Sequence, residues 1–308
     1  MRTARLIPGG PGRAALAGAP APAALPGWPP VDPGPGASAR AFSAGPAADD
    51  RDPVRAGRPP AATGVDPVVL VAHGSRDPRA AVATRALAEA VAAARPGSVV
   101  LPSWLDHTEP TPVEVLRGLA AAGHPRAVLV PLLLTAAYHR RVDVPAAVAE
   151  AGAAGPPMAV RVTDVLGPVG AVVEATLLGG LRQRLAEAGA DRFDALVLAA
   201  AGTRDARARA SVGRVAAALG ASYGVPCRVA YASAATPTTG TAVARLRAAG
   251  AGRVAVSAYF LAPGLFHDAV TAAAREAGAV AVSAPLTDTA DLVRLVLTRI
   301  TPAALPAG

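Results

Sequence analysis

Asp66-Pro-Val-Val-Leu-Val-Ala-His73-Gly74-Ser-Arg76-Asp77 is echoed by Asp194-Ala-Leu-Val-Leu-Ala-Ala-Ala-Gly202-Thr-Arg204-Asp205, 128 positions later. At the same offset, Pro131-Leu-Leu-Leu-Thr-Ala-Ala-Tyr-His139 is echoed by Tyr259-Phe-Leu-Ala-Pro-Gly-Leu-Phe-His267. Between them, Arg117 to Arg126 is answered by Arg245 to Arg253 with a one-residue slip. Two motif pairs sharing one offset point to a duplicated unit. The chain is therefore expected to fold as two versions of one lobe.

Each lobe reads as alternating strands and helices. Val68-Val-Leu-Val-Ala72 is a short apolar run suited to a strand buried on both faces. Helical spacing over 79–94 follows, then a strand over 99–105 and a helix over 112–122. A strand at 127–134, a helix at 144–151 and a strand at 158–165 complete the unit. Glu109-Pro110 reads as the opening of the second helix, and 169–188 as one long helix joining the lobes. Strands alternating with helices imply parallel sheets flanked by helices. The fold class expected is α/β, with two homologous Rossmann-like lobes at 67–190 and 191–303.

Residues 1–66 stand apart. They hold 13 of the 31 prolines and 10 of the 31 glycines, with no helical or alternating period. Such a stretch cannot bury enough apolar surface to offset its ordering entropy, so it reads as a disordered extension. Its start has no apolar run of signal-peptide type. No uninterrupted apolar run of membrane-spanning length occurs elsewhere, so a cytoplasmic protein without a membrane partner is expected.

All thirty basic residues are arginine. Without lysine there is no Schiff base and no Walker-type phosphate loop, and no nucleotide cofactor is expected. A single cysteine, Cys227, excludes an internal disulfide and a Cys-ligated zinc site. The net charge of +8 favours an acidic partner. Arginines do not cluster with aromatics, so nucleic acid is not expected. Chemistry falls to His, Asp, Glu, Arg and hydroxyl groups.

In open parallel sheets, ligands bind beyond the carboxyl ends of the strands. His73, Asp106 and His139 fall there in the first lobe. Two imidazoles and a carboxylate suit a mid-series divalent metal, and equally suit proton removal. Arg76 and Arg204, at matching positions, suit either a shared salt bridge with Asp77 and Asp205 or a ligand contact. Arg140 and Arg141 follow His139 on its loop. His107 and His124 read as loop residues, and Tyr138 as packing. In the second lobe, alanine stands at 201 where the first has His73, and at 234 where it has Asp106. His267 alone keeps its counterpart, as a relic or an accessory metal contact.

Three segments together resemble the sirohydrochlorin chelatases, the cobalt- or iron-inserting, ATP-independent family of cobalamin and sirohaem biosynthesis. They are Val71-Ala-His73-Gly-Ser-Arg-Asp77, Trp104-Leu-Asp106-His-Thr-Glu-Pro110 and Pro131-Leu-Leu-Leu-Thr-Ala-Ala-Tyr-His139-Arg-Arg-Val-Asp143-Val-Pro145. The resemblance covers about 67–300. It implies two facing lobes, with His73 and His139 handling metal and accepting protons, and Asp106 standing where the family usually carries Glu. It implies a tetrapyrrole and Co²⁺ or Fe²⁺ as substrates, with Ser75, Arg76, Arg140 and Arg141 near the tetrapyrrole's carboxylate arms. A monomer is expected, because two lobes already supply both walls of a cleft. A carrier without turnover, or a chelatase for a different tetrapyrrole, stays open as an alternative.

Overall fold

The computed structural model describes residues 65–135, 142–153 and 155–301. The expected disordered extension lies outside them, apart from its last two residues. Two four-stranded parallel sheets form the frame. In the first, β1 (Val68–Ala72), β2 (Val100–Trp104), β3 (Arg126–Pro131) and β4 (Ala159–Val162) run in the order β2-β1-β3-β4. In the second, β5 (Ala195–Ala200), β6 (Cys227–Tyr231), β7 (Val254–Tyr259) and β8 (Ala281–Val282) repeat that order as β6-β5-β7-β8. The central strands are apolar runs buried on both faces, as the sequence of β1 and β5 predicts.

The helices are α1 (Pro78–Ala93), α2 (Pro112–Ala121), α3 (Asp143–Gly152) and α4 (Ala175–Glu187), then α5 (Ala206–Tyr223), α6 (Thr239–Ala248), α7 (Leu265–Glu276) and α8 (Ala290–Ile300). Their starts are set by side-chain caps. Asp77 accepts from the Arg79 N–H at the head of α1, and Asp205 accepts from the Arg207 and Ala208 N–H groups at the head of α5. Thr111 and Glu114 form a reciprocal capping box on α2, so that helix begins at Pro112 and not at Glu109-Pro110.

Two expectations are corrected here. The stretch 169–174 is not helical: Val169 and Val172 bridge across a tight turn in which Gly170 has φ 58°. Pro168 and Gly170 favour a turn over a helix at this point. The common offset of 128 also fails beyond the first strand. Ala72 pairs with Trp104 and Ala200 with Tyr231, so the second strands are 127 apart while the first are 128 apart. The third strands keep 127, since Val71 pairs with Pro131 and Ala199 with Ala258. The counterpart of Asp106 is therefore Ser233, and Ala234 answers His107. The matching of His267 with His139 lies outside the described residues.

The two lobes exchange their last helices. Helix α4, which follows the first sheet, packs on β7, α5 and α8, while α8 crosses back onto β3 and α1. One core results, with Leu70 and Leu87 of the first lobe, Leu196 and Leu198 of the second, and Leu181, Leu185 and Leu295 of the exchanged helices. Arg299 near the end of α8 fastens the crossing. Its Nε donates to the Val165 carbonyl at 2.8 Å and its Nη1 to Glu174 Oε1 at 2.9 Å, with its side chain 9% exposed. Removing one partner of a buried polar set leaves the others unsatisfied. Arg299→Ala is expected to lower stability by about 1–3 kcal/mol, read as a lower urea midpoint. An unchanged midpoint would show that the crossing holds by apolar packing alone.

Candidate functional site

The carboxyl ends of β1 and β2 shape the site. After Ala72 the chain turns through His73-Gly74, and Gly74 takes φ 99°. The turn is pressed onto the loop after β2: Leu105 N–H donates to the Ala72 carbonyl at 3.0 Å and Asp106 N–H to the His73 carbonyl at 2.9 Å. A Cβ on Gly74 would lie 1.7 Å from the Asp106 carbonyl oxygen, so only glycine fits. The second lobe repeats this contact at Gly202, 1.9 Å from the Ser233 carbonyl oxygen.

Beyond these loops, a cavity of about 460 Å³ opens between the lobes. His73, Ser75, Arg76 and His107 line its first-lobe side. The second lobe contributes the segment from Phe260 to His267, and Trp104 and Leu132 are among the residues of its apolar wall. Leu265 and Phe266 remain 68% and 51% exposed, an unusual state for large apolar side chains beside a cavity. His267 is held from behind, its Nε2 lying 3.2 Å from the Ser283 carbonyl and its ring edge-on to Phe260. A second hollow of about 590 Å³ lies between α2 and α3, lined by Asp106, Glu114, Asp143 and Glu150 and by Arg117, whose Nη2 lies 3.7 Å from Glu150 Oε1. His73 borders both spaces.

Of the two readings left open for Arg76, the salt bridge with Asp77 gives way to a different pairing. Asp77 is gripped by Arg79, whose Nε lies 3.0 and 3.1 Å and whose Nη2 lies 2.5 Å from its oxygens. The Arg79 guanidinium holds the Asp77 carboxyl below the usual carboxylate range. The same Nη2 reaches Asp268 of α7 at 2.5 Å, tying the two walls of the cavity together. Arg76 is exposed and lines the cavity. Ser75 Oγ accepts the Asp77 N–H at 3.0 Å, which shapes the turn into α1.

The cavity thus gathers His73, Ser75, Arg76 and His267. Asp106 borders the hollow behind it. His139, Arg140 and Arg141 lie outside the described residues, and His124 sits in the loop after α2, away from the site. His107, read from the sequence as a loop residue, lines the cavity, and its position directly after Asp106 was the available signal. Nothing in the local sequence marks Leu265 and Phe266, because their role depends on how the lobes face. Among the described residues, no group of three or more His, Cys, Asp or Glu side chains is placed to hold a metal ion. No helix among them is long and apolar enough to cross a membrane.

The family model described as CbiX matches residues 67–188 and again 195–303, one match per lobe. Among solved structures, SirB from Bacillus subtilis with Fe³⁺ superposes with a TM-score of 0.65 at 20% identity, covering 76% of this chain and 94% of that one. The sirohydrochlorin chelatase SirB from Bacillus subtilis subspecies spizizenii, in complex with cobalt, gives 0.63 at 20% identity, over 76% and 93%. A CbiX described as the terminal enzyme of sirohaem biosynthesis in denitrifying bacteria gives 0.54 at 20% identity, over 76% and 97%. These likenesses are of fold. No curated protein matches the chain.

Proposed function

Since the chain belongs to the CbiX family, we propose that it is a sirohydrochlorin chelatase, inserting Co²⁺ or Fe²⁺ into the tetrapyrrole for cobalamin or sirohaem synthesis. The observation that carries this reading is the inter-lobe cavity, where imidazoles of the first lobe face an exposed apolar lip of the second. A tetrapyrrole is a flat apolar ring with charged arms. Leu265 and Phe266 offer its face a surface, while Arg76 offers its carboxylates a guanidinium. Imidazole is a fitting ligand for either ion, and a neutral imidazole also accepts a pyrrole proton. His73 borders both the cavity and the hollow behind it, so we assign it to receive the ion from one side and present it to the ring on the other. Both walls come from one chain, so we propose a monomer.

The test is a chelation assay with the purified chain, sirohydrochlorin, and Co²⁺ or Fe²⁺ side by side. Loss of the free-base visible spectrum is expected to run faster than in protein-free controls. Stoichiometric binding without acceleration would replace the enzyme reading with that of a carrier. Acceleration only with another tetrapyrrole would move the substrate assignment.

A further inference from the structure

Asp106 is a candidate catalytic carboxylate, yet its side chain borders the hollow between α2 and α3 and is absent from the inter-lobe cavity lining. Both of its oxygens are directed at the next residue. Oδ1 accepts the His107 N–H at 2.8 Å, and Oδ2 lies 3.2 Å from His107 Nε2. A carboxylate within ion-pair distance of Nε2 favours the tautomer with its proton on that nitrogen, which leaves Nδ1 with the lone pair. His107 borders the same cavity as His73.

The backbone at His107 has φ 60°, a left-handed conformation that few residues other than glycine adopt. The second lobe bends in the same way, with Ala234 at φ 55°. The bend therefore belongs to the fold. What the first lobe adds is chemical: a carboxylate and an imidazole where the second has Ser233 and Ala234. Carboxylate-oriented imidazoles are the usual form of histidine metal ligands, since the carboxylate sets the tautomer and the ring orientation.

We infer that His107 contacts the incoming metal ion together with His73, and that Asp106 is a positioning residue acting through His107. This rests on the chelatase reading for the ion's destination but not for its binding. Asp106 contributes no ligand of its own; it aims the Nδ1 lone pair. The degenerate lobe has lost both members of the pair, so its matching loop offers the ion nothing.

The experiment is a titration of the full chain with Co²⁺ alone, followed by its visible absorption and by calorimetry. His107→Ala is expected to weaken binding roughly 10–100-fold, and Asp106→Asn by a smaller factor. The double variant should bind no more weakly than His107→Ala, because a residue acting only through His107 has nothing left to orient. His107→Asn, whose side chain tolerates the left-handed backbone, should weaken binding with an unchanged melting curve. Multiplicative losses in the double variant would assign Asp106 to the ion directly and overturn the inference. So would wild-type affinity in both His107 variants, or a wild-type chain that takes up no Co²⁺. Loss of Co²⁺ in His107→Ala, alongside a wild-type chain unable to metallate sirohydrochlorin, would uphold His107 and remove the chelatase reading.

Discussion

Replacing His73 by alanine is expected to slow metal insertion by roughly 10²–10⁴-fold, the range for loss of a positioned imidazole in proton transfer. His73 is exposed at the end of β1 and borders both the inter-lobe cavity and the acidic hollow. An exposed side chain there adds little apolar packing, so the variant should stay within about 1.5 kcal/mol of wild type in stability. The contrast between an intact fold and a collapsed rate is the diagnostic outcome. Initial rates of spectral change measure the rate, and thermal melting measures the fold. A His73→Ala chain within twofold of the wild-type rate would remove this residue from the chemistry.

The second large effect is on stability. Gly74→Ala puts a methyl group 1.7 Å from the Asp106 carbonyl oxygen at φ 99°, and Gly202→Ala does the same at 1.9 Å from Ser233 at φ 100°. Overpacking and backbone strain each cost about 1–3 kcal/mol, so each variant is expected to lose about 2–6 kcal/mol. The pair separates stability from activity. Both should melt at lower temperature, but Gly74→Ala also pushes apart the loops that carry His73 and Asp106. Below its melting range, Gly202→Ala should keep most of its chelation rate, whereas Gly74→Ala should lose it. A Gly74→Ala chain melting like wild type would mean that the two loops separate without cost.

Much of the frame was legible in the residues. The run at Val68–Ala72 and the echo at Asp194–Asp205 marked the first strand of each lobe, because a strand buried on both faces must be continuously apolar. The parts that escaped depend on distance in space. The two motif pairs carried one offset of 128 into strands where 127 applies, which mispaired Asp106 with Ala234 and Pro131 with Tyr259; the ladder partners of Ala72, Ala200, Val71 and Ala199 correct both. Arg79 lies two residues from Asp77 and next to Asp268 only after α7 has packed across the cleft, so no local pattern selects it over Arg76. The long helix expected from 169 failed on Pro168 and Gly170, a local signal outweighed by the apolar residues around it. His73, Ser75 and Arg76 could be placed beside the cavity because strand ends are legible. Phe266 was missed because a cleft wall is not.

The exchanged helices α4 and α8 have a consequence for how the two lobes came to differ. As separate chains, two such halves would each need a partner to cover their sheets, and their association would depend on concentration. Joined, they meet at a fixed effective concentration, and assembly becomes part of folding. In a symmetric pair every substitution appears twice, so neither loop could lose its histidine without the other. Fusion lifts that constraint. One half is then free to keep His73 and the Asp106–His107 pair, while the other carries Ala201, Ser233 and Ala234 at the matching positions and lends the cavity its apolar lip and His267.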